Sequence, residues 1–325
     1  MYQTFRRVRV LAFSAMLAVA VAGCGSSNSN VVDSTAVSSS SAVAPTMPTE
    51  PTPAIARVVT ETVSGRPFEI DVPAGYDAST PVPLVVVLHG YTGSGAGAKA
   101  YFQLAAEARK RRFLTVYPDG TKDSSGNRFW NGTDACCQLT SSVADDSAYL
   151  TALIDRVAEK FSVDPKRIFL AGHSNGGFMS YRMACEHADR IAAIVSVAGA
   201  TFDDVSACQT SAPVSVLQVH GTSDTVISFT GGSIFSNSYP GAATSVATWA
   251  SYNGCASTPK PGGAAKELDL DEKVAGKDAS VTAFAGCKPG GAVELWTIDG
   301  GSHEPTLTTE FAAKIADFFL AHPKP

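Results

Sequence analysis

The chain has 325 residues, 45% hydrophobic and only 17% charged, enough apolar sequence for a full core and too little charge for a disordered tail or a coiled coil. Its 25 Lys and Arg against 30 Asp and Glu give a formal net charge of -5, and no basic cluster interrupts the body. That balance argues against a nucleic-acid partner and against polybasic attachment to anionic lipid.

Arg6, Arg7 and Arg9 precede a short apolar run, Val10 to Ala22, the pattern of an export signal and too short to span a bilayer as a mature helix. The run ends in Val21-Ala22-Gly23-Cys24, which resembles a bacterial lipobox. Residues 1–23 are therefore expected to be a lipoprotein signal peptide and Cys24 the lipidated residue, at roughly 0.8 kcal/mol of membrane affinity per buried methylene. From Gly25 to Pro53, Ser, Thr, Val, Ala and Pro dominate without apolar periodicity, so residues 24–56 read as a lipidated tether. The expected location is outside the cytoplasm, anchored by lipid at the bacterial cell envelope or secreted, with the anchor as the sole membrane contact.

Beyond Arg57, short apolar runs bounded by Gly and Pro alternate with helical stretches. Arg57–Ser64 and Pro67–Val72 read as a hairpin across Gly65. Leu84-Val85-Val86-Val87-Leu88 is a continuous aliphatic run, the mark of a strand buried on both faces. A helix over Lys99–Arg112 and a strand over Phe113–Tyr117 follow. The helical spacing of Tyr149, Leu150, Leu153, Ile154 and Val157 predicts a helix over Asp146–Phe161. Strands at 167–171, 191–198, 214–219 and 293–298 then alternate with helices at 176–186, 246–252 and 308–320. Such alternation predicts one α/β domain over residues 57–325, a mostly parallel sheet with helices on both faces. Cys255–Gly291, rich in Gly, Lys, Asp and Pro, reads as a surface excursion.

Six cysteines remain after Cys24, an even number that suits disulfides in an exported protein, and no C-x-x-C pair or His-rich tract supports a metal. Cys255 and Cys287 stand at the two ends of the excursion, where a bridge would contribute about 3–4 kcal/mol. Cys185, three turns down the helix after position 174, and Cys208, before a strand rising from the same lower edge, are a plausible second pair. Cys136 and Cys137 are left for each other or for partners elsewhere.

The strongest chemical signal is Gly172-His173-Ser174-Asn175-Gly176-Gly177, set between strand Ile168–Ala171 and a helix. This is the G-x-S-x-G nucleophile elbow in the strand–turn–helix context it requires, in an α/β-hydrolase order of elements. A serine hydroxyl needs a base to take its proton and a third group to orient that base, and in this fold they follow in the order Ser, Asp, His. Strand 214–219 leads into His220-Gly221-Thr222-Ser223-Asp224, and strand 293–298 into Asp299-Gly300-Gly301-Ser302-His303. Asp224 and His303 thus join Ser174 at one sheet edge. His187 and His322 lie at helix ends, while His89, His173 and His220 come too early in the chain to be the base.

Two backbone N–H groups are needed for the oxyanion. Asn175 is one, and Tyr91, with Thr92 second, is the other, in the loop Leu88-His89-Gly90-Tyr91-Thr92-Gly93-Ser94-Gly95 that His89 braces. That Gly-rich loop has neither a Lys-Ser/Thr ending nor an acidic residue after a second strand, so no cofactor is expected. Trp130, Asn131, Tyr239 and Trp249 are candidates to line the substrate cleft.

Together, L-H-G-Y-T-G-S-G at 88–95, Y-P-D-G at 117–120, W-N-G…A-C-C at 130–137, D-D-S-A-Y-L at 145–150, A-G-H-S-N-G-G at 171–177, H-G-T-S-D at 220–224 and G-G-S-H at 300–303 carry a family resemblance. The chain from about Arg57 onward resembles the polyhydroxybutyrate depolymerase-like esterases. That group includes LpqC-type lipoproteins and the feruloyl and acetylxylan esterases of carbohydrate esterase family 1. The resemblance implies cofactor-free hydrolysis of oligomeric, polymeric, feruloyl or acetyl esters through an acyl-enzyme. In many members an aromatic and a proline follow the His motif, whereas Glu304-Pro305-Thr306 follows here, a departure that bears on the cleft. The alternatives are a cell-envelope acyltransferase using the same three residues and a catalytically dead binding module.

Overall fold

In a computed structural model of the chain, the structure describes residues 55–137, 145–234, 236–261 and 267–325. The segments expected to be a signal peptide and tether, with Cys24 between them, lie outside the described residues except for 55 and 56.

The first strands form the hairpin β1 (Ile55–Val63) and β2 (Arg66–Pro73), turning at Ser64-Gly65 with both residues at positive φ. β3 (Val82–Leu88), helices α1 (Gly95–Phe102) and α2 (Ala105–Arg111), and β4 (Leu114–Pro118) follow. A small hairpin, β5 (Thr121–Lys122) with β6 (Arg128–Phe129), leads toward α3 (Asp146–Lys160) and β7 (Val163–His173). Next come α4 (Asn175–Glu186), β8 (Ala193–Val197), β9 (Ser215–Gly221) and a third hairpin, β10 (Gly231–Ile234) with β11 (Asn237–Pro240). The chain closes with α5 (Ala242–Tyr252), β12 (Lys260–Pro261), β13 (Ala279–Ala283), β14 (Val293–Ile298) and α6 (Thr309–Ala321).

Among the described residues, ten strands make one sheet in the order β1-β2-β4-β3-β7-β8-β9-β14-β13-β12. Its centre, from β4 through β14, is parallel, and the hairpin at one edge and β13–β12 at the other are antiparallel. Alternation along β3 shows how both faces are covered. Leu84, Val86 and Leu88 join a cluster with Leu150 and Leu153 of α3, Met179 and Met183 of α4 and Trp249 of α5. Val85 and Val87 point to the opposite face, among Phe102 of α1, Ala108 of α2 and Phe311 and Phe319 of α6. This is the doubly covered α/β architecture that the aliphatic run at 84–88 implies.

Two elements differ from the sequence expectation. The helix expected over 99–112 is broken at Gln103, which adopts the left-handed conformation at φ 49° while its N–H bonds Lys99 O. Phe102 and Leu104 are both buried, and residues two apart cannot share one face of a straight helix, so the break lets each side chain reach the core. The excursion from Cys255 to Gly291 is not confined to the surface. Its β13 pairs with β14, and Leu268, Leu270 and Ala279 are buried. Its acidic residues serve as internal caps: buried Asp278 accepts the N–H groups of Leu270 and Asp271 at 3.0 and 2.7 Å. Buried Asp271 in turn accepts the N–H of Thr306 at 2.9 Å, which fastens the excursion to the segment following His303.

Disulfides join Cys185 to Cys208, Cys255 to Cys287, and Cys136 to its neighbour Cys137.

One buried carboxylate knits the front of the molecule. Asp146, at the start of α3 and fully buried, accepts from Arg66 Nη1 at 2.8 Å, Thr121 Oγ1 at 3.1 Å and the Asn131 N–H at 2.8 Å. The Arg66 guanidinium also lies 3.5 Å from the centroid of the Tyr149 ring. Asp146→Ala removes the carboxylate paired with a part-buried guanidinium, which keeps its bonds to Asp119 O, and takes the acceptor from the Asn131 amide, and should lower stability by about 2–4 kcal/mol. Urea unfolding measures this; a loss under about 0.5 kcal/mol contradicts it.

Candidate active site

Strands β7, β9 and β14 run parallel, and the segments that leave their C-terminal ends carry Ser174, Asp224 and His303. Ser174 sits at φ 53°, ψ -120°, between the end of β7 and the start of α4. This sparsely populated conformation turns the hydroxyl out of the sheet. The turn closes only because its flanks lack side chains: a Cβ at Gly172 would strike Gly176 O, and one at Gly176 would meet Leu88 O.

The structure brings the three residues into one hydrogen-bonded chain. Ser174 Oγ is 2.9 Å from His303 Nε2, and His303 Nδ1 is 2.8 Å from Asp224 Oδ2. Because the carboxylate accepts, Nδ1 donates, and Nε2 is left to accept the serine proton. Asp224 Oδ1 takes the N–H groups of Val226 and Ile227, both at 2.8 Å. Burial pushes the Asp224 carboxyl up, but the bonds from His220 and His303 and the positive charge that His303 can carry outweigh it, holding the group well below the usual carboxylate range. The arrangement can take a proton from Ser174 during attack on an electrophilic carbon while Asp224 stays ionised.

The other histidines have structural partners. His89 is buried, accepts the Gly120 N–H at Nε2 (2.9 Å) and donates from Nδ1 to Gly90 O (2.7 Å), so it braces the loop after β3. His173 Nε2 donates to the carbonyl of His303 at 2.9 Å and holds that loop from below. Burial, then the neighbouring His303, pushes His173 down to about 4, so it is neutral near pH 7. His187 bonds Ser147 and Thr151 on α3, and His322 bonds Phe318 O.

Of the two residues considered for the second oxyanion donor, Thr92 has its N–H committed to Arg128 O at 2.8 Å, which favours Tyr91. The Tyr91 hydroxyl donates to Asp123 at 2.7 Å and ties this loop to the turn beyond β5. Asn175 opens α4, where a backbone N–H has no partner within the helix. Its buried side chain is clasped by Trp130, whose N–H and carbonyl bond its Oδ1 and Nδ2 at 2.6 and 2.7 Å, and Nδ2 also reaches Cys136 Sγ at 3.3 Å.

A cleft of about 380 Å³ opens over Ser174, with Tyr91, Tyr101, Phe102, Val226, His303 and Glu304 in its walls. The aromatic candidates from the sequence are elsewhere. Trp130, Tyr239 and Trp249 are 0%, 5% and 0% exposed and pack inside the fold, because the loop after β6, the strand β11 and the helix α5 turn them inward. Sequence reasoning missed Tyr101, and it set aside His220, which stands 3.2 Å from Asp224.

Neutral burial of His173 has a pH consequence. Its folded value lies below the unfolded one near 6.5, so the unfolded chain binds the extra proton first. Its contribution is intact above about pH 6.5 and is lost as pH falls toward 4, amounting to about 3 kcal/mol. Urea midpoints across this window should fall less steeply in His173→Gln than in the wild type. Equal slopes contradict the assignment.

A family model described as Phospholipase/Carboxylesterase matches residues 76–257, more than half of the chain and inclusive of Ser174 and Asp224. Feruloyl esterase B of Piromyces equi is 30% identical over 249 residues, 73% of this chain but only 42% of that protein. Feruloyl esterase C of Emericella nidulans is 28% identical over 247 residues, 74% of this chain and 77% of that protein. Among solved structures, an acetyl xylan esterase from Aspergillus awamori superposes with a TM-score of 0.55 at 16% identity, covering 81% of this chain and 98% of that one, which establishes likeness of fold alone.

Proposed function

Because the chain belongs to the phospholipase/carboxylesterase family, we propose that it is a serine carboxylic-ester hydrolase with Ser174, His303 and Asp224 as its catalytic triad. The observation that carries this reading is the unbroken chain of short hydrogen bonds from Asp224 through His303 to a serine on a strained turn. Ser174 Oγ attacks the ester carbonyl as His303 Nε2 takes its proton. The N–H groups of Asn175 and Tyr91 receive the negative charge that develops on the carbonyl oxygen. His303 then returns the proton to the departing alcohol, leaving an acyl-serine that water hydrolyses by the same steps in reverse order. No step calls on a cofactor.

The acyl group lies in the cleft beside Tyr91 and Tyr101, walls suited to an aromatic or short hydroxyalkanoyl chain. The relatives named feruloyl esterases support aryl esters as the first class to test, with acetyl-sugar and hydroxybutyrate esters beside them. The acceptor we assign is water, not an envelope alcohol.

The test compares wild type with Ser174→Ala on short p-nitrophenyl esters and on methyl ferulate. Loss of the serine should lower kcat by about a thousandfold or more. Equal rates for the two proteins end the reading.

We further assign residues 1–23 as an export signal, Cys24 as the lipid anchor and residues 57–325 as the catalytic domain. Three disulfides among the described residues support an oxidising compartment. Expression in a bacterial host with labelled palmitate should mark the wild type and leave Cys24→Ser unlabelled; equal labelling rules out the anchor.

A further inference from the structure

Asp224 Oδ2 faces a second imidazole. His220, at the end of β9 and 2% exposed, has its Nε2 at 3.2 Å from Asp224 Oδ2 and at 2.8 Å from Ile227 O. A carboxylate and a carbonyl can only accept, so this nitrogen carries the proton. Nδ1 is then the acceptor, and it faces Gln218 Nε2 at 3.1 Å. The same amide nitrogen is 2.9 Å from Gly199 O, and Gln218 Oε1 is 2.9 Å from the Tyr181 hydroxyl. Gly199 O can only accept, so the amide group has one satisfied orientation, and the Tyr181 hydroxyl completes it by donating. Gln218 and Tyr181 are fully buried, and Phe229 packs edge-on against the His220 ring with centroids 5.7 Å apart. The amide orientation sets the tautomer of His220, and the tautomer places one proton between Ile227 O and Asp224 Oδ2, which share it at 2.8 and 3.2 Å.

We propose that His220 is a positioning residue for the triad, its proton held on Nε2 by the buried Tyr181–Gln218 pair so that it pins the Oδ2 atom of Asp224 on which His303 depends. This rests on the reading of Asp224 and His303 as triad members. The backbone bonds fix Oδ1, whereas the bond from His220 fixes the oxygen that receives His303. Without it, the carboxylate has one fewer donor on Oδ2, and its negative charge falls more fully on His303. The imidazolium is then better stabilised, and the acid limb of the kcat/KM profile, which requires neutral His303, moves to higher pH. The other groups facing the His303–Asp224 pair are Ser174 and His173, with Glu304 adjoining in the cleft wall.

The experiment measures kcat/KM from pH 4.5 to 9 on a p-nitrophenyl ester for wild type, His220→Leu, His220→Gln, Tyr181→Phe and Ser174→Ala. His220→Leu removes the donor and should lose about ten- to a hundredfold, with its acid limb displaced upward by about half a pH unit or more. His220→Gln can present an N–H near the Nε2 position and should recover most of the rate and return the limb toward the wild-type position. Tyr181→Phe deletes one hydroxyl and little volume. It should lose about two- to fivefold in kcat/KM, with a smaller limb shift of the same sign.

A His220→Leu variant that folds, stays within twofold of wild type and keeps its acid limb overturns the proposal. So does one that His220→Gln matches in both rate and limb. Should His220→Leu fail to fold, Tyr181→Phe decides, and wild-type kcat/KM with an unmoved limb overturns it. Ser174→Ala separates the two levels of inference. Retained activity there defeats the triad reading itself, whereas its loss beside wild-type behaviour of the other variants defeats only the role of His220.

Discussion

The site exists because three parallel strands end at the same edge. β7, β9 and β14 deliver a serine, a carboxylate and an imidazole from positions as far apart as 174 and 303, and only the parallel register makes their exits coincide. The two faces of the sheet pack on large apolar clusters whose cohesion is non-directional, with buried polar residues such as Gln218 and His220 set among them. Directional precision has to come from the edge itself. There the strained turn at Ser174, two crossing glycines and two short hydrogen bonds set the geometry.

The loops at that edge are held by buried polar groups, each satisfied at short distance. His89 ties the loop after β3 to Gly120, and His173 carries the backbone of His303. Asp146 gathers the first hairpin, the small β5–β6 arm and the Trp130–Asn131 loop, and Trp130 in turn clasps Asn175 beside the nucleophile. Asp271 binds the segment just after His303. A chain of this kind is costly to leave half-made in a low-dielectric interior, so it favours one arrangement of the loops over others of similar packing. Rigidity around Ser174 follows from it, as does the placement of N–H groups before a substrate arrives.

How much of this is legible in the sequence depends on whether the signal is local. The nucleophile elbow reads directly from the G-x-S-x-G pattern between a strand and a helix, although only the demand for Gly172 is local, at Gly176 O, and Gly176 is required by the distant backbone of Leu88 and His89. The parallel sheet also reads directly, since Leu84 to Leu88 is apolar on both faces. Asp224 and His303 follow from chain order and strand ends. The break at Gln103 is hidden because helix propensity runs through it and only the tertiary demand to bury both Phe102 and Leu104 reveals it. The stretch from Cys255 to Gly291 looks solvent-facing because its aspartates are polar, yet Asp271 and Asp278 are buried with their charge spent on backbone amides. Trp130 and Trp249 suggest a cleft by residue type, whereas the walls include Tyr91 and Tyr101, whose direction no spacing rule supplies. His220 stands among early histidines, and its bond to Asp224 depends on the loop after β9 folding back over four residues.

The measurement that bears most directly on the central claim is covalent capture of the serine. After incubation with a fluorophosphonate, peptide mass spectrometry should find a single phosphonyl group per chain, on the peptide that contains Ser174. Labelling should be slowed by orders of magnitude in His303→Ala, because an unassisted hydroxyl is a poor nucleophile. A label on another residue, or labelling of Ser174 at the same rate without His303, would contradict the account.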